Sequence, residues 1–381
     1  MAALTPDGLS LSATLTNVIV DLHKHLKLSG IPFADMRSAA SLELAYAGAS
    51  NLHPLAKQSG EAWASPEITR LEGRMSIQAR PVPWPAATPS RLCYFLDGSQ
   101  RTMPVMRVGV VPIVATIAAA GILQRDKRGA ATILPGTLRL ERTWLVPRRT
   151  RNPHVEALID RLDAVNAKVV DPLESLADPA DYALMANNYG KMVEAAYVAA
   201  RDVRAEVEIG LLDDWGTGLS DVAPDAWLVV DGRLRLAVPR ALGLVKDLTS
   251  QHLTGAEALE LFNLQPGHRT TAFHPSDRRR SIAFETKTPQ ATGDQRPTLW
   301  YLRMRSCEGM DARHALIRIE APNHIQDTDS IDQLSSWLLA ERSPRPTADA
   351  RWDTLLYPVH YLEQILKRHV AGSTRGWPGA R

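Results

Sequence analysis

LCYFLDGSQR, residues 92–101, is the stretch on which the reading of this chain turns. Its continuous apolar run with aromatic residues suits a buried strand, and Asp97-Gly98-Ser99 reads as the turn that closes it, placing Asp97 at a strand end. Upstream, ARPVPWPAATPS (79–90) holds four prolines and reads as an irregular, extended entry into that strand. Further back, Val18, Val20, Leu22 and Leu26 lie at helical spacing before Gly30 and Pro32, so an N-terminal helical region is expected over about 11–28. The division that follows is residues 1–90 as helical region and linker, and 91–381 as the main domain.

Downstream, MRVGVVPIVATIA (106–118) gives a second strand signal and LRLERTWLV (138–146) alternates as a third. Strands that follow one another without a helix between them imply an antiparallel meander. The Ala-rich stretch from Asp181 to Trp215 is free of proline and reads as one long helix, with Gly210 a possible stop. WLVVDG (227–232) is a fourth core strand ending, like the first, in Asp-Gly. ALGLVKDL (241–248), TLWYLRMR (298–305) and ALIRIEAP (315–322) supply later strands, and LLYPVHYLEQILKRHV (355–370) ends as a helix after Pro358. Three strands, a long helix, a strand and further elements describe an α/β fold: a ribonuclease H-like mixed sheet flanked by helices, with additional late strands.

Composition narrows the classes of function. The 381 residues are 45% hydrophobic and 23% charged, and the longest apolar stretch, 108–123, is shorter than a bilayer span. A cytoplasmic protein with no membrane partner is expected, the first residues lacking a secretory pattern. Two cysteines, Cys93 and Cys307, are too few for a disulfide framework or a thiolate zinc site. A net charge of +2 excludes binding nucleic acid by bulk charge and moves attention to local clusters. Such clusters exist among the 35 arginines: Arg148, Arg149 and Arg151, then Arg278, Arg279 and Arg280. The planar guanidinium fork suits phosphate, so these runs, with Arg101, are the candidate nucleic-acid contacts.

The chemistry lies in carboxylates. Hydrolysis of a phosphodiester by divalent ions needs several carboxylates converging on one point, because hard cations bind oxygen and must face both the attacking and the leaving oxygen. Asp97 and Asp231 each end an apolar run before Gly, so neighbouring strands would bring them to one place. A third carboxylate is expected from the long helix. At about 100° per residue, Met192, Ala196, Ala199, Val203 and Val207 form an apolar stripe, with Glu206 about 60° and Glu208 about 140° from Val203. Glu206 is therefore the expected inward residue.

YFLDGSQR, RAEVEIGLL in a long helix, WLVVDGRL, LGLVKD, IRIEAP and LYPVHYLEQIL, in this order from about residue 92 to 365, resemble the landmarks of the NurA nucleases. The resemblance implies a Mn2+- or Mg2+-dependent deoxyribonuclease acting on DNA ends in recombination, repair or phage defence. It further implies a homodimer that works beside a HerA-type hexameric ATPase translocase. Carried over by position, Asp97, Glu206 and Asp231 would hold metal, Lys246 would face the scissile phosphate, and Tyr357 would hold a phosphate or an ordered water. The family's His follows that tyrosine by eight residues, where this chain has Ile365. His360 and His369 both remain candidates for its role. A non-catalytic DNA-binding or ATPase-docking subunit on the same fold is the alternative. A phosphotransferase of the actin-like kind is disfavoured, since no Gly-rich phosphate loop follows either Asp.

Overall fold

A computed structural model describes residues 68–342 and 356–374, apart from 74, 85, 127–129, 220–222, 247, 249–251 and 276–295. The expected N-terminal helix and the Arg278–Arg280 run lie outside the described residues.

The elements begin with two short strands, β1 (Ile68–Arg70) and β2 (Ala79–Pro81), then the long pair β3 (Leu92–Val108) and β4 (Val111–Arg125). β5 (Ala131–Ile133), β6 (Arg139–Leu145), α1 (Pro153–Ala164), β7 (Lys168–Val170), α2 (Pro179–Ala186) and α3 (Tyr189–Thr217) follow. Then come β8 (Trp227–Asp231), β9 (Ala241–Val245), α4 (Gly255–Phe262), β10 (His268–Thr270) and β11 (Phe273–Pro275). β12 (Thr298–Arg303), β13 (Leu316–Ala321), α5 (Thr328–Glu341) and α6 (Tyr357–Ser373) close the described chain. All thirteen strands join one mixed sheet, whose main path is β1-β11-β12-β13-β9-β8-β3-β4-β6-β7.

The centre of that sheet explains the rest. β3, β4 and β6 are antiparallel neighbours, whereas β8 lies parallel to β3 on its other side and β9 parallel to β8. A parallel return from β6 to β8 needs a crossover, and α3 supplies most of it. β4, VPIVATIAAAGILQR, is buried over all but its last two residues because helices cover both faces. On one face Leu96, Ala118, Ala120, Leu228 and Val230 pack with Val203, Val207 and Leu211 of α3. On the other, Phe95, Ile117, Ala119, Val229 and Leu244 pack with Trp337 of α5 and Leu362, Leu366 and Val370 of α6. Among the described residues no helix is long and apolar enough to cross a membrane.

Four expectations change. Asp97-Gly98-Ser99 is not a turn: β3 runs through it to Val108, with a bulge between Pro104 and Met106, so Asp97 sits mid-strand opposite Gly121 of β4. Cross-strand pairing on the β4 side overrides the local turn preference of Asp-Gly. The proline-rich segment carries a strand, β2, and residues 68–82 are part of the main sheet, where β1 pairs with β11 and β2 with β10. Only three residues of β2 are paired, so the prolines beyond it cost the ladder nothing. The helix expected over 181–215 is two helices, divided where the Asn188 side chain accepts a hydrogen bond from the Lys191 N–H and caps α3. Gly210 does not stop α3, which continues to Thr217.

Candidate active site

β8 pairs with β3 only as far as Leu96↔Val230 and then ends at Asp231, where Gly232 turns the chain away at φ +119°. β3 continues, leaving a step in the sheet beside Asp97. Side chains alternate along a strand, so Asp97, two residues after Phe95, and Asp231, two after Val229, lie on the face covered by α6. Two residues after Leu244 comes Lys246, and its Nζ lies 2.7 Å from Asp231 Oδ2. The pair is largely buried, with 15% and 19% of the side chains exposed.

Gly98 faces the opposite side, toward α3, and its missing side chain decides which helical carboxylate arrives. A Cβ at position 98 would stand 2.1 Å from Glu208 Oε1. Glu208 therefore occupies the space above Gly98, and Arg204, one turn earlier, donates from Nη1 to the Gly98 carbonyl at 3.2 Å. That bond fastens α3 to the free edge of β3 at the step. Glu208 is buried, and its Oε1 has no hydrogen-bond partner; Arg204 Nη1 stands 3.5 Å away without hydrogen-bond geometry.

Glu206, the residue expected here, is exposed and paired with Lys168 at 3.2 Å. The reason is a drift of the buried stripe along a 29-residue helix. The first half of α3 packs Ala196 and Ala200 against Val114 and Leu145, whereas the second half turns Val207, Leu211 and Trp215 toward Tyr94 and Leu228. A wheel centred on the first half points at Glu206; the second half decides.

The sequence reading missed Glu363. It projects from α6 with 18% of its side chain exposed, holds Lys367 Nζ at 2.8 Å, and has His360 Nδ1 3.7 Å away. Its signal was present: Val359, Glu363, Leu366 and Val370 are spaced i, i+4, i+7, i+11, so a carboxylate stands in the buried register of the helix.

Electrostatics follow from burial. Asp97 is held well above the ordinary carboxylate range by burial and by Asp231, with Lys246 opposing and Glu208 and Glu363 adding to the rise. Burial also pushes Glu208 up, against the attraction of Arg204 and Arg235. Asp97 makes no ion pair among the described residues; its Oδ1 accepts the Gly98 N–H at 2.7 Å. The result is a cluster of carboxylates in which Asp231, Glu363 and Glu208 each have a cation nearby, at Lys246, Lys367 and Arg204. Among the described residues no three such groups stand close enough together to form a ready metal cage. Asp231 is drawn onto Lys246, and Glu363 onto Lys367. The donor set nevertheless fits a hard divalent cation: all oxygen, mostly carboxylate, with a buried Glu208 oxygen lacking a partner.

The remaining candidates divide. Tyr357 is 60% exposed at the start of α6 and His369 is exposed further along it. His360 is half-buried, its Nδ1 without a hydrogen bond. Arg101 donates from Nη1 to Thr374 Oγ1 at 2.8 Å, tying β3 to the end of α6. Arg148 pairs with Asp163 at 3.5 Å. The guanidinium of Arg149, expected to contact phosphate, stacks on Tyr182 at 4.2 Å and donates to the carbonyls of Leu173, Glu174 and Leu176. Arg151 is exposed with φ +53°.

A comparison of the chain with models of known protein families finds no match, and a comparison with curated proteins finds none either.

Proposed function

We propose that this chain is a metal-dependent nuclease on a ribonuclease H-like sheet, of the NurA kind. The observation that carries the reading is the step in the sheet where Asp97 and Asp231, on adjacent parallel strands, lie close enough to Glu208, seated over Gly98 on the other face, for their charges to act on one another. The order β6-β4-β3-β8-β9, three antiparallel strands followed by two parallel ones with α3 in the crossover, supports the fold part of the proposal.

Asp97, Asp231 and Glu208 would hold Mn2+ or Mg2+. When bound, such ions supply positive charge for the phosphoryl oxygens and favour deprotonation of the attacking water. The protein's own part is to gather and orient the carboxylates and to exclude bulk water from them. Lys246 restrains Asp231 and offers a cation where charge grows on the phosphate. In the hydrolysis, water adds to phosphorus, the bond to the leaving sugar oxygen breaks, and that oxygen takes up a proton. DNA as substrate, a homodimer, and a HerA-type ATPase partner come from the NurA resemblance.

The test is cleavage of end-labelled linear DNA by the purified protein, with Mn2+ titrated from zero. Mn2+-dependent cleavage by the wild type, lost in Asp97→Asn and in Asp231→Asn with unchanged circular dichroism, is expected. Lys246→Ala should slow turnover while leaving Mn2+ binding in place. A second reading, a DNA-binding or ATPase-docking subunit without activity, is favoured by Ile365 at the family's His position. DNA binding by the wild type with no cleavage at any Mn2+ concentration would establish that reading instead.

A further inference from the structure

We propose that Glu320 of β13 is a positioning residue for the site: it takes the Leu234 N–H and so fixes the chain that leaves Asp231; the inference rests on the nuclease reading above. Glu320 belongs to IRIEAP (317–322). Ile317 and Ile319 pack on the side of α6, so Arg318 and Glu320, which alternate with them, point to the side of α3. There they form an ion pair with only 1% and 8% of the side chains exposed. Arg318 directs both Nε and Nη2 to one oxygen of Glu320, Oε1, at 3.2 and 2.9 Å. The other oxygen, Oε2, accepts the Leu234 N–H at 2.9 Å.

That bond falls where backbones meet. Glu320 is the cross-strand partner of Gly243 in β9, and a Cβ on Gly243 would stand 2.5 Å from the Leu234 nitrogen and 2.8 Å from the Gly232 carbonyl oxygen. The chain after Asp231 therefore lies directly on β9, an approach that Gly243 alone permits. Its near end is tied by the Gly232 N–H to the Leu244 carbonyl at 2.8 Å, and its far end by Glu320. Asp231 stands three residues before this hook and Arg235 one after it. Arg235 is one of the cations whose attraction acts on Glu208. One hook thus sets the end of β8, with Asp231 on the face of α6, and sends a counter-charge toward Glu208 on the face of α3. A buried ion pair adds little stability over apolar residues of equal volume, because desolvation offsets the attraction. What apolar residues could not supply is the acceptor for Leu234.

The experiment compares two double variants of the full chain that both lack the ion pair. Arg318→Leu with Glu320→Gln keeps an oxygen for the Leu234 N–H, whereas Arg318→Leu with Glu320→Leu removes it. In cleavage of end-labelled linear DNA at saturating Mn2+, the first should keep kcat within about tenfold of the wild type. The second should lose about a hundredfold in kcat with KM for DNA changed less than about twofold, the mark of misplaced groups in a fold that still binds. Deuterium exchange over residues 231–236 should be faster in the second variant than in the first, while melting curves show both folded. Equal kcat or equal exchange in the two would overturn the proposal and leave the nuclease reading standing. A wild type that cleaves no DNA at any Mn2+ concentration would overturn the nuclease reading, and exchange then decides the hook alone: faster in the second variant supports it, equal overturns it. Should the second variant not fold, Glu320→Asp, which keeps the charge beside Arg318 but shortens the reach to Leu234, takes its place, and wild-type kcat and exchange there would overturn the proposal.

Discussion

Asp97 is buried among like charges, and that has a cost in the metal-free protein. A carboxyl whose folded pKa is raised favours the fold while protonated, so its contribution is fully present below the unfolded value and is lost as pH rises through the raised one. Asp97→Asn removes an ionisation the fold disfavours. In EDTA at pH 8 the variant should therefore melt above the wild type by a few degrees, about 2–4 °C for each kcal/mol relieved, and the difference should shrink toward pH 4. Equal melting temperatures at pH 8 would show that the site tolerates the charge without cost. The paired glutamates give a second contrast at this scale: Glu208→Gln should lower Mn2+ affinity at least tenfold, while Glu206→Gln, losing only an exposed ion pair with Lys168, should leave it unchanged. Binding that responds to Glu206 and ignores Glu208 would mean the carboxylate above Gly98 is a bystander.

At the scale of elements, the site depends on α3 approaching β3 closely where β8 has stopped. Gly98→Ala would place a methyl group where Glu208 now lies, and the atom displaced is the end of a flexible side chain rather than backbone. Stability should fall by only about 1 kcal/mol or less, the usual range for a substitution with an easy relaxation. Mn2+ affinity should fall as far as in Glu208→Gln, because the carboxylate must swing out of the step. Denaturant unfolding and calorimetry on the same preparation separate the two effects. Unchanged affinity in Gly98→Ala would show that Glu208 need not occupy that space. α6 is the second element brought to the step, and its docking explains why Glu363, 266 positions after Asp97 in the chain (363 − 97), is near enough for its charge to act on Asp97.

Across the whole molecule, the late strands extend the core sheet and fold residues 68–82 onto it. The fastening is a buried network: Arg269, fully buried, places Nη1 and Nη2 on the two oxygens of Glu72 at 3.0 and 2.9 Å and Nε on Asp332 of α5. Glu72 also accepts the Ala272 N–H and the Thr328 hydroxyl, and holds φ +60°. Removing one partner of such a group leaves the other buried and uncompensated, so Glu72→Ala should destabilise the protein by about 3–5 kcal/mol in urea unfolding. Removing residues 1–82 should be at least as damaging, since it strips the pairing partners of β10 and β11. A truncated chain that melts like the full one would support the division at residue 90 as a domain boundary.

The sequence by itself determined the elements whose signals are local. Apolar runs and alternation located β3, β4, β6, β8, β9, β12 and β13, and the same runs led to Asp97 and Asp231, since a buried strand shows its pattern wherever it is paired. Tertiary structure decided three matters that no local pattern contains. Asp97-Gly98 became mid-strand because β4 supplied pairing partners that outweigh turn preference. The choice of Glu208 was partly legible, because centring the wheel on Val207, Leu211 and Trp215 puts Glu208 about 60° and Glu206 about 140° from the stripe. Which half of α3 sets the phase at the step depends on where β8 ends. Glu363 stood in the buried register of α6, yet only the crossing of α6 over Gly121, the cross-strand partner of Asp97, brought that carboxylate near enough for its charge to act on Asp97. Periodicity fixes which face of an element is buried; what that face meets is set by contacts distant in the chain, and a site built where a strand stops is made of such contacts.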